Sequence, residues 1–186
     1  MKTIIILHGT GETQNSFWYP WLKNEIEKIG YKFVLPQLPN SNTPKLEEQL
    51  EFCLENLELN ENTNIITHSS GTPLALALLE RSSSTIEKLI SVAGYCSPIT
   101  INPKDSKNLQ ENYDWEKIKS KCKEFIFINS DNDPWGANDV QGKKMHEKLG
   151  GKLIINHEGH MGSESFNQPY KKFPLLLTLL NKARNH

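Results

Sequence analysis

The chain has 186 residues, of which 37% are apolar and 23% charged, with a formal charge of −1. That length and apolar content suit one domain, residues 1–186, with a real core, and exclude a disordered chain. The balanced charge gives no reason to expect nucleic acid or an anionic membrane as partner.

Thr3 to Leu7 is β-branched and apolar without alternation, as expected of a strand buried on both faces of a parallel sheet. His8-Gly9-Thr10-Gly11 is a glycine-rich turn. Phe17 to Ile29 carries Leu22, Ile26 and Ile29 at helical spacing, and Gly30 closes it. Tyr31 to Leu35 reads as a second strand, stopped by Pro36. Thr43-Pro44 reads as the cap and first residue of a helix whose inward stripe is Leu46, Leu50, Cys53, Leu54 and Leu57.

Asn64 to His68 is a third strand. Gly71 to Arg81 is a helix apolar nearly all round, and so is expected deep in the fold. Ile86 to Ala93 is strand four. Gly94 to Tyr113 is a long connection, of the kind that covers pockets. Asp114 to Lys121 is a short helix, Glu124 to Asn129 strand five, Asn138 to Leu149 a helix, Lys152 to Asn156 strand six, and Tyr170 to Ala183 the last helix.

Strands and helices thus alternate, which implies an α/β fold with right-handed crossovers and helices on both faces of a parallel sheet. Ligands in such folds sit beyond the carboxyl ends of the strands. Cys53, Cys96 and Cys122 are odd in number and widely spaced, which argues against a disulfide framework or a zinc site. The apolar run at Met1 to Leu7 is too short for a secretory leader, and Pro174 to Leu180 is too short to span a membrane. A cytoplasmic protein without a metal or other cofactor is expected.

The stretch Ile65 to Pro73 has the grammar of a nucleophile elbow: strand, sharp turn, serine at the apex, helix. Ser69 is therefore the candidate nucleophile. A serine needs a base to take its proton and an acid to orient that base. The order serine, acid, histidine is offered by Ser69, Asp133 and His160, each just after a separate strand. Asp131 competes with Asp133, and His157 with His160. The oxyanion of a tetrahedral intermediate needs two N–H donors, for which Ser70 and Thr10 are placed. His8, Trp18 and Trp135 are candidate pocket residues, although packing is the plainer role for the first two.

These residues carry a resemblance. His8-Gly9, Trp18-Tyr19-Pro20-Trp21-Leu22, His68-Ser69-Ser70-Gly71, Asp133-Pro134 and Gly159-His160 together resemble the small α/β-hydrolases of the retinoblastoma-binding protein 9 family. The resemblance implies a three-layer sandwich around a six-stranded parallel sheet in the order 2-1-3-4-5-6. It also implies a triad after the third, fifth and sixth strands, where Ser69, Asp133 and His160 fall. Two features depart from the family. Thr67 replaces the glycine two before the nucleophile, and a slightly opened elbow is expected there. Glu51-Phe52-Cys53-Leu54-Glu55 has glutamate where an L-x-C-x-E motif needs leucine, so pocket-protein binding is not expected.

The expected function is hydrolysis of a small carboxylic ester or amide. The tryptophans suggest an apolar or aromatic group on that substrate. The rivals are an interaction module on a hydrolase scaffold and an aminopeptidase-like amidase for aromatic residues.

Overall fold

The computed structural model describes residues 1–99 and 108–181. In chain order the elements are β1 (Thr3–Leu7), α1 (Tyr19–Lys28), β2 (Lys32–Val34), α2 (Leu46–Asn56), β3 (Thr63–His68) and α3 (Gly71–Arg81). They continue with β4 (Ile86–Val92), α4 (Trp115–Ser120), β5 (Cys122–Ser130), α5 (Asp139–Leu149), β6 (Lys152–Asn156) and α6 (Pro174–Asn181). The six strands form one parallel sheet in the order β2-β1-β3-β4-β5-β6.

The two-residue period of a strand divides the core. Ile5, Leu7, Ile65, Leu89, Phe125 and Phe127 face one side, packed with residues of α2 to α5. Ile4, Ile6, Ile66, Ile90, Ile126 and Ile128 face the other, packed with α1 and α6. Apolar residues at every position of the strands therefore reflect a sheet covered on both faces. Helix α3, buried from Gly71 to Leu79, is apolar all round because α2 and α4 cover the sides turned away from the sheet.

Some element ends differ from the sequence reading. Helix α2 starts at Leu46, and its N-cap is Lys45 with no side-chain cap bond. Thr43 and Pro44 are drawn instead into a cavity wall. Leu46, Gln49, Leu50 and Cys53 form its buried stripe, whereas Leu54 lies at the stripe's margin and is exposed. Helix α6 begins at Pro174, because Tyr170 has a positive φ of 34° and interrupts any earlier turn. Residues 100–107 of the long connection, and the helix end expected at Ala183, lie outside the described residues.

The strand order reverses between β1 and β3. The turns after β1 and β3 flank that reversal, and those after β5 and β6 rise from the same edge of the sheet. The chemistry-bearing residues gather there.

Candidate active site

Ser69 follows β3 directly, with a φ of +50°. Non-glycine residues adopt this conformation only when the surroundings enforce it. The enforcement is visible: the Ser69 N–H donates to the Val92 carbonyl at 3.0 Å, and Gly71 packs against the backbone of Leu7. Thr67 does not open the elbow. It stays in register with Leu7 and Ser91 on either side. Its hydroxyl lies 2.7 Å from that of Thr72, which in turn lies 2.9 Å from that of Ser91. Gly94 leaves room for this hydroxyl chain, since a Cβ there would fall 2.3 Å from Thr72 Oγ1.

The turn aims the amino end of α3, with its partial positive charge, at the space above Ser69. Ser70 is the N-cap of α3. Its hydroxyl accepts a hydrogen bond from that of Thr10 at 3.0 Å, which ties the turn after β1 to the elbow. Among the described residues, neither the Thr10 nor the Ser70 N–H has an acceptor.

The two acid–histidine alternatives sort themselves by pairing. Asp133 Oδ2 lies 2.7 Å from His160 Nδ1, and both side chains are almost fully buried. Asp133 Oδ1 accepts from the Trp135 N–H at 2.8 Å, so the carboxylate is fixed at both oxygens. Asp131 pairs instead with His157 at 2.6 Å, out in solvent, with side chains 54% and 77% exposed. The His160 N–H donates to Gln168 Oε1 at 2.8 Å. Gly159 (φ +60°) leaves room for the Gln168 amide, which a Cβ would meet at 2.1 Å.

Ser69 and His160 line one cavity of about 1010 Å³. Among the described residues no hydrogen bond joins the Ser69 hydroxyl to the His160 ring. Among the described residues, neither Ser69 Oγ nor His160 Nε2 has another protein hydrogen-bond partner. Burial lowers the pKa of His160, the Asp133 hydrogen bond opposes that shift, and the nearby His68 adds to it. The ring is thereby kept neutral, with Nδ1–H directed at Asp133 and the Nε2 lone pair left over.

Of the expected pocket residues, Trp135 reaches the cavity wall, as does Thr10, the expected oxyanion donor. Trp135 Nε1 also donates to Ser163 Oγ at 3.2 Å. His8 does not line the pocket. It is buried, with Nδ1 bonded to the Gly9 carbonyl at 2.9 Å and Nε2 accepting from the Leu38 N–H at 3.0 Å. Burial lowers its pKa, and this pairing suits a neutral ring that shapes the turn after β1. Trp18 is also a correction: it is fully buried in the core, and its Nε1 donates to the Met161 carbonyl at 3.1 Å.

The remaining wall is mainly polar. It includes Ser16, Asn42, Thr43 and Lys45 on one side and Ser163, Glu164 and Ser165 on the other. Ile99, Asn108 and Leu109, which flank residues 100–107, also contribute. The sequence reading gave no role to Glu12, His68 or Gln168. Glu12 and Gln168 belong to none of the motifs, and His68, although it stands in the elbow stretch, meets Glu12 only across the fold.

A model of the serine hydrolase family matches residues 4–182. The serine hydrolase RBBP9 of Rattus norvegicus is 28% identical over 181 residues, covering 95% of this chain and 96% of the relative. YdeN of Bacillus subtilis is 29% identical over 165 residues, covering 86% of this chain and 85% of the relative. The crystal structure of the B. subtilis ydeN gene product superposes with a TM-score of 0.88 at 25% identity, over 97% of each chain. An esterase from Exiguobacterium antarcticum shares the fold, with a TM-score of 0.68 at 12% identity over 98% of this chain and 92% of its own.

Proposed function

The chain belongs to the serine hydrolase family, and from that premise we propose that it cleaves a small carboxylic ester or amide through an acyl-enzyme on Ser69. The observation that carries this reading is the buried Asp133–His160 pair opening onto the same cavity as a serine held at positive φ.

In this reading His160 Nε2 takes the Ser69 proton as the hydroxyl oxygen attacks the substrate carbonyl. The tetrahedral oxyanion is held by the N–H groups of Thr10 and Ser70. Asp133 keeps the Nδ1–H tautomer in place and stabilises the imidazolium once it forms. His160 then protonates the leaving group, and the acyl-enzyme is hydrolysed by a water that the same ring activates.

The hydroxyl and amide groups of the wall favour a compact substrate that forms hydrogen bonds. They offer less to a wholly aromatic one, since only one of the candidate tryptophans lines the space. Glu51 to Glu55 lie inside α2, so no pocket-protein binding is proposed.

A fluorophosphonate probe tests the reading. Wild type is expected to be labelled and Ser69→Ala not. A folded wild type that stays unlabelled would overturn it and favour an interaction module. Matched ester and amide substrates then separate an esterase from an aminopeptidase-like amidase.

A further inference from the structure

Behind the elbow lies a second carboxylate–histidine pair that the steps above do not use. His68, the residue before Ser69, is wholly buried, and both its ring nitrogens meet oxygen atoms. Nδ1 lies 2.6 Å from Glu12 Oε1, and Nε2 lies 2.9 Å from the backbone carbonyl oxygen of His160. A carbonyl only accepts, so Nε2 carries a proton. Glu12 Oε2 already accepts from the Gly9 N–H at 2.6 Å and from the Tyr19 hydroxyl. A carboxylate with three donors keeps its charge, so the proton shared with His68 belongs on the more basic imidazole.

We propose that Glu12 and His68 form a lasting carboxylate–imidazolium pair that holds the His160 segment against the elbow, making both of them positioning residues for the base. The positioning role rests on the reading of His160 as that base. Burying two charges is costly unless both are fully hydrogen-bonded. Here every polar atom of the pair has a partner, and one of those partners is the His160 backbone. The pair thus links three separate turns: that after β1 through Glu12, that after β3 through His68, and that after β6 through His160.

The titratable groups facing His68 are Glu12, Tyr19 of α1, Asp133 after β5, and His8 and His160. Phe17, Trp18 and Tyr19 close round the ring edge-on. Burial works against charge on His68, but Glu12, the His160 carbonyl and Asp133 together outweigh it and raise the pKa. The His68 ring centroid lies 4.9 Å from that of His160. A cation there disfavours a second one, so the base stays neutral and ready. Its effect exceeds the opposing pull of Glu12 on His160.

Nitrogen-15 NMR of histidine-labelled wild type reads the charge directly. Both His68 ring nitrogens are expected to be protonated at neutral pH. In Glu12→Gln the amide donates to Nδ1 of a neutral ring, and the Nε2–H bond to the His160 carbonyl loses its charge assistance, so the segment is held less tightly. That variant should lose between about tenfold and a hundredfold in kcat, the scale on which small displacements of a reacting group cost rate. KM should hardly change. The acid limb of its pH–rate profile should move to higher pH, which a purely structural role would not produce. A neutral His68 in wild type, or a Glu12→Gln enzyme with wild-type kcat and pH profile, overturns the proposal. Failure of wild type to react with the fluorophosphonate refutes the hydrolytic reading and the positioning role with it. The NMR result judges the ion pair independently of that.

Discussion

A side-chain carbon placed on Gly71 falls 2.0 Å from the carbonyl oxygen of Leu7. Neither partner can yield, because Leu7 is a sheet residue and Gly71 opens α3. Gly71→Ala should therefore cost at least about 3 kcal/mol, the upper end for overpacking a rigid site. Urea unfolding measures the loss, and fluorophosphonate labelling of the folded fraction should fall as the elbow shifts.

Ser69→Gly should separate stability from chemistry. A non-glycine residue at positive φ costs between about 1 and 3 kcal/mol, while glycine loses roughly 0.5–1 kcal/mol more in backbone entropy. The balance predicts a variant more stable by about 1 kcal/mol and devoid of turnover. Thermal unfolding combined with an ester assay checks both halves. A less stable Ser69→Gly would show that the turn carries no strain.

Asp133→Asn should lower kcat by on the order of ten-thousandfold, because an amide in that place favours the wrong histidine tautomer. His157→Ala provides the contrast. It removes a solvent-exposed partner of Asp131, and should change stability by no more than about 0.5 kcal/mol and leave kcat/KM unaltered. Equal losses in the two variants would contradict the assignment of the acid.

The pH dependence follows from burial. His160 is held below its ordinary value of 6.5, with Asp133 opposing and His68 reinforcing the shift. If His160 is the base, as proposed, it works only when unprotonated, so kcat/KM should persist below pH 6.5 and decline only on further acidification. Stability has the same sign for this group. The unfolded chain protonates first as pH falls, so the contribution of His160 is complete above 6.5 and is lost as pH drops through its folded value. A kcat/KM profile that bends above pH 6.5 would contradict the direction of the shift.

Thr67→Val keeps the shape of the elbow but breaks the Thr67–Thr72–Ser91 hydroxyl chain. The loss should be about 1 kcal/mol, because the Thr72 hydroxyl keeps Ser91 as a partner. Chemical denaturation measures it, and labelling of Ser69 should be unaffected.

Much of this arrangement could be read from residue order. Uninterrupted β-branched runs such as Ile4 to Ile6 reveal a sheet covered on both sides, and Ser69, Asp133 and His160 each stand just past a strand. What could not be read depends on where side chains turn after leaving the sheet. His8 and Trp18 adjoin the right turns but point into the interior. Thr43-Pro44 has the composition of a helix start, yet the chain uses it as cavity wall. Glu12 and His68 are 56 positions apart and meet only because β1 and β3 are neighbours. An acidic residue beside a glycine-rich turn was the one available sign of that pair, and it is a weak one.

The Thr10–Ser70 hydroxyl contact means that the reacting corner is braced by the sheet, while Asn42 to Lys45 and Ser163 to Ser165 hang outside it. On the hydrolytic reading proposed above, substitutions in those outer segments would change which substrate fits while leaving Ser69, Asp133 and His160 in place.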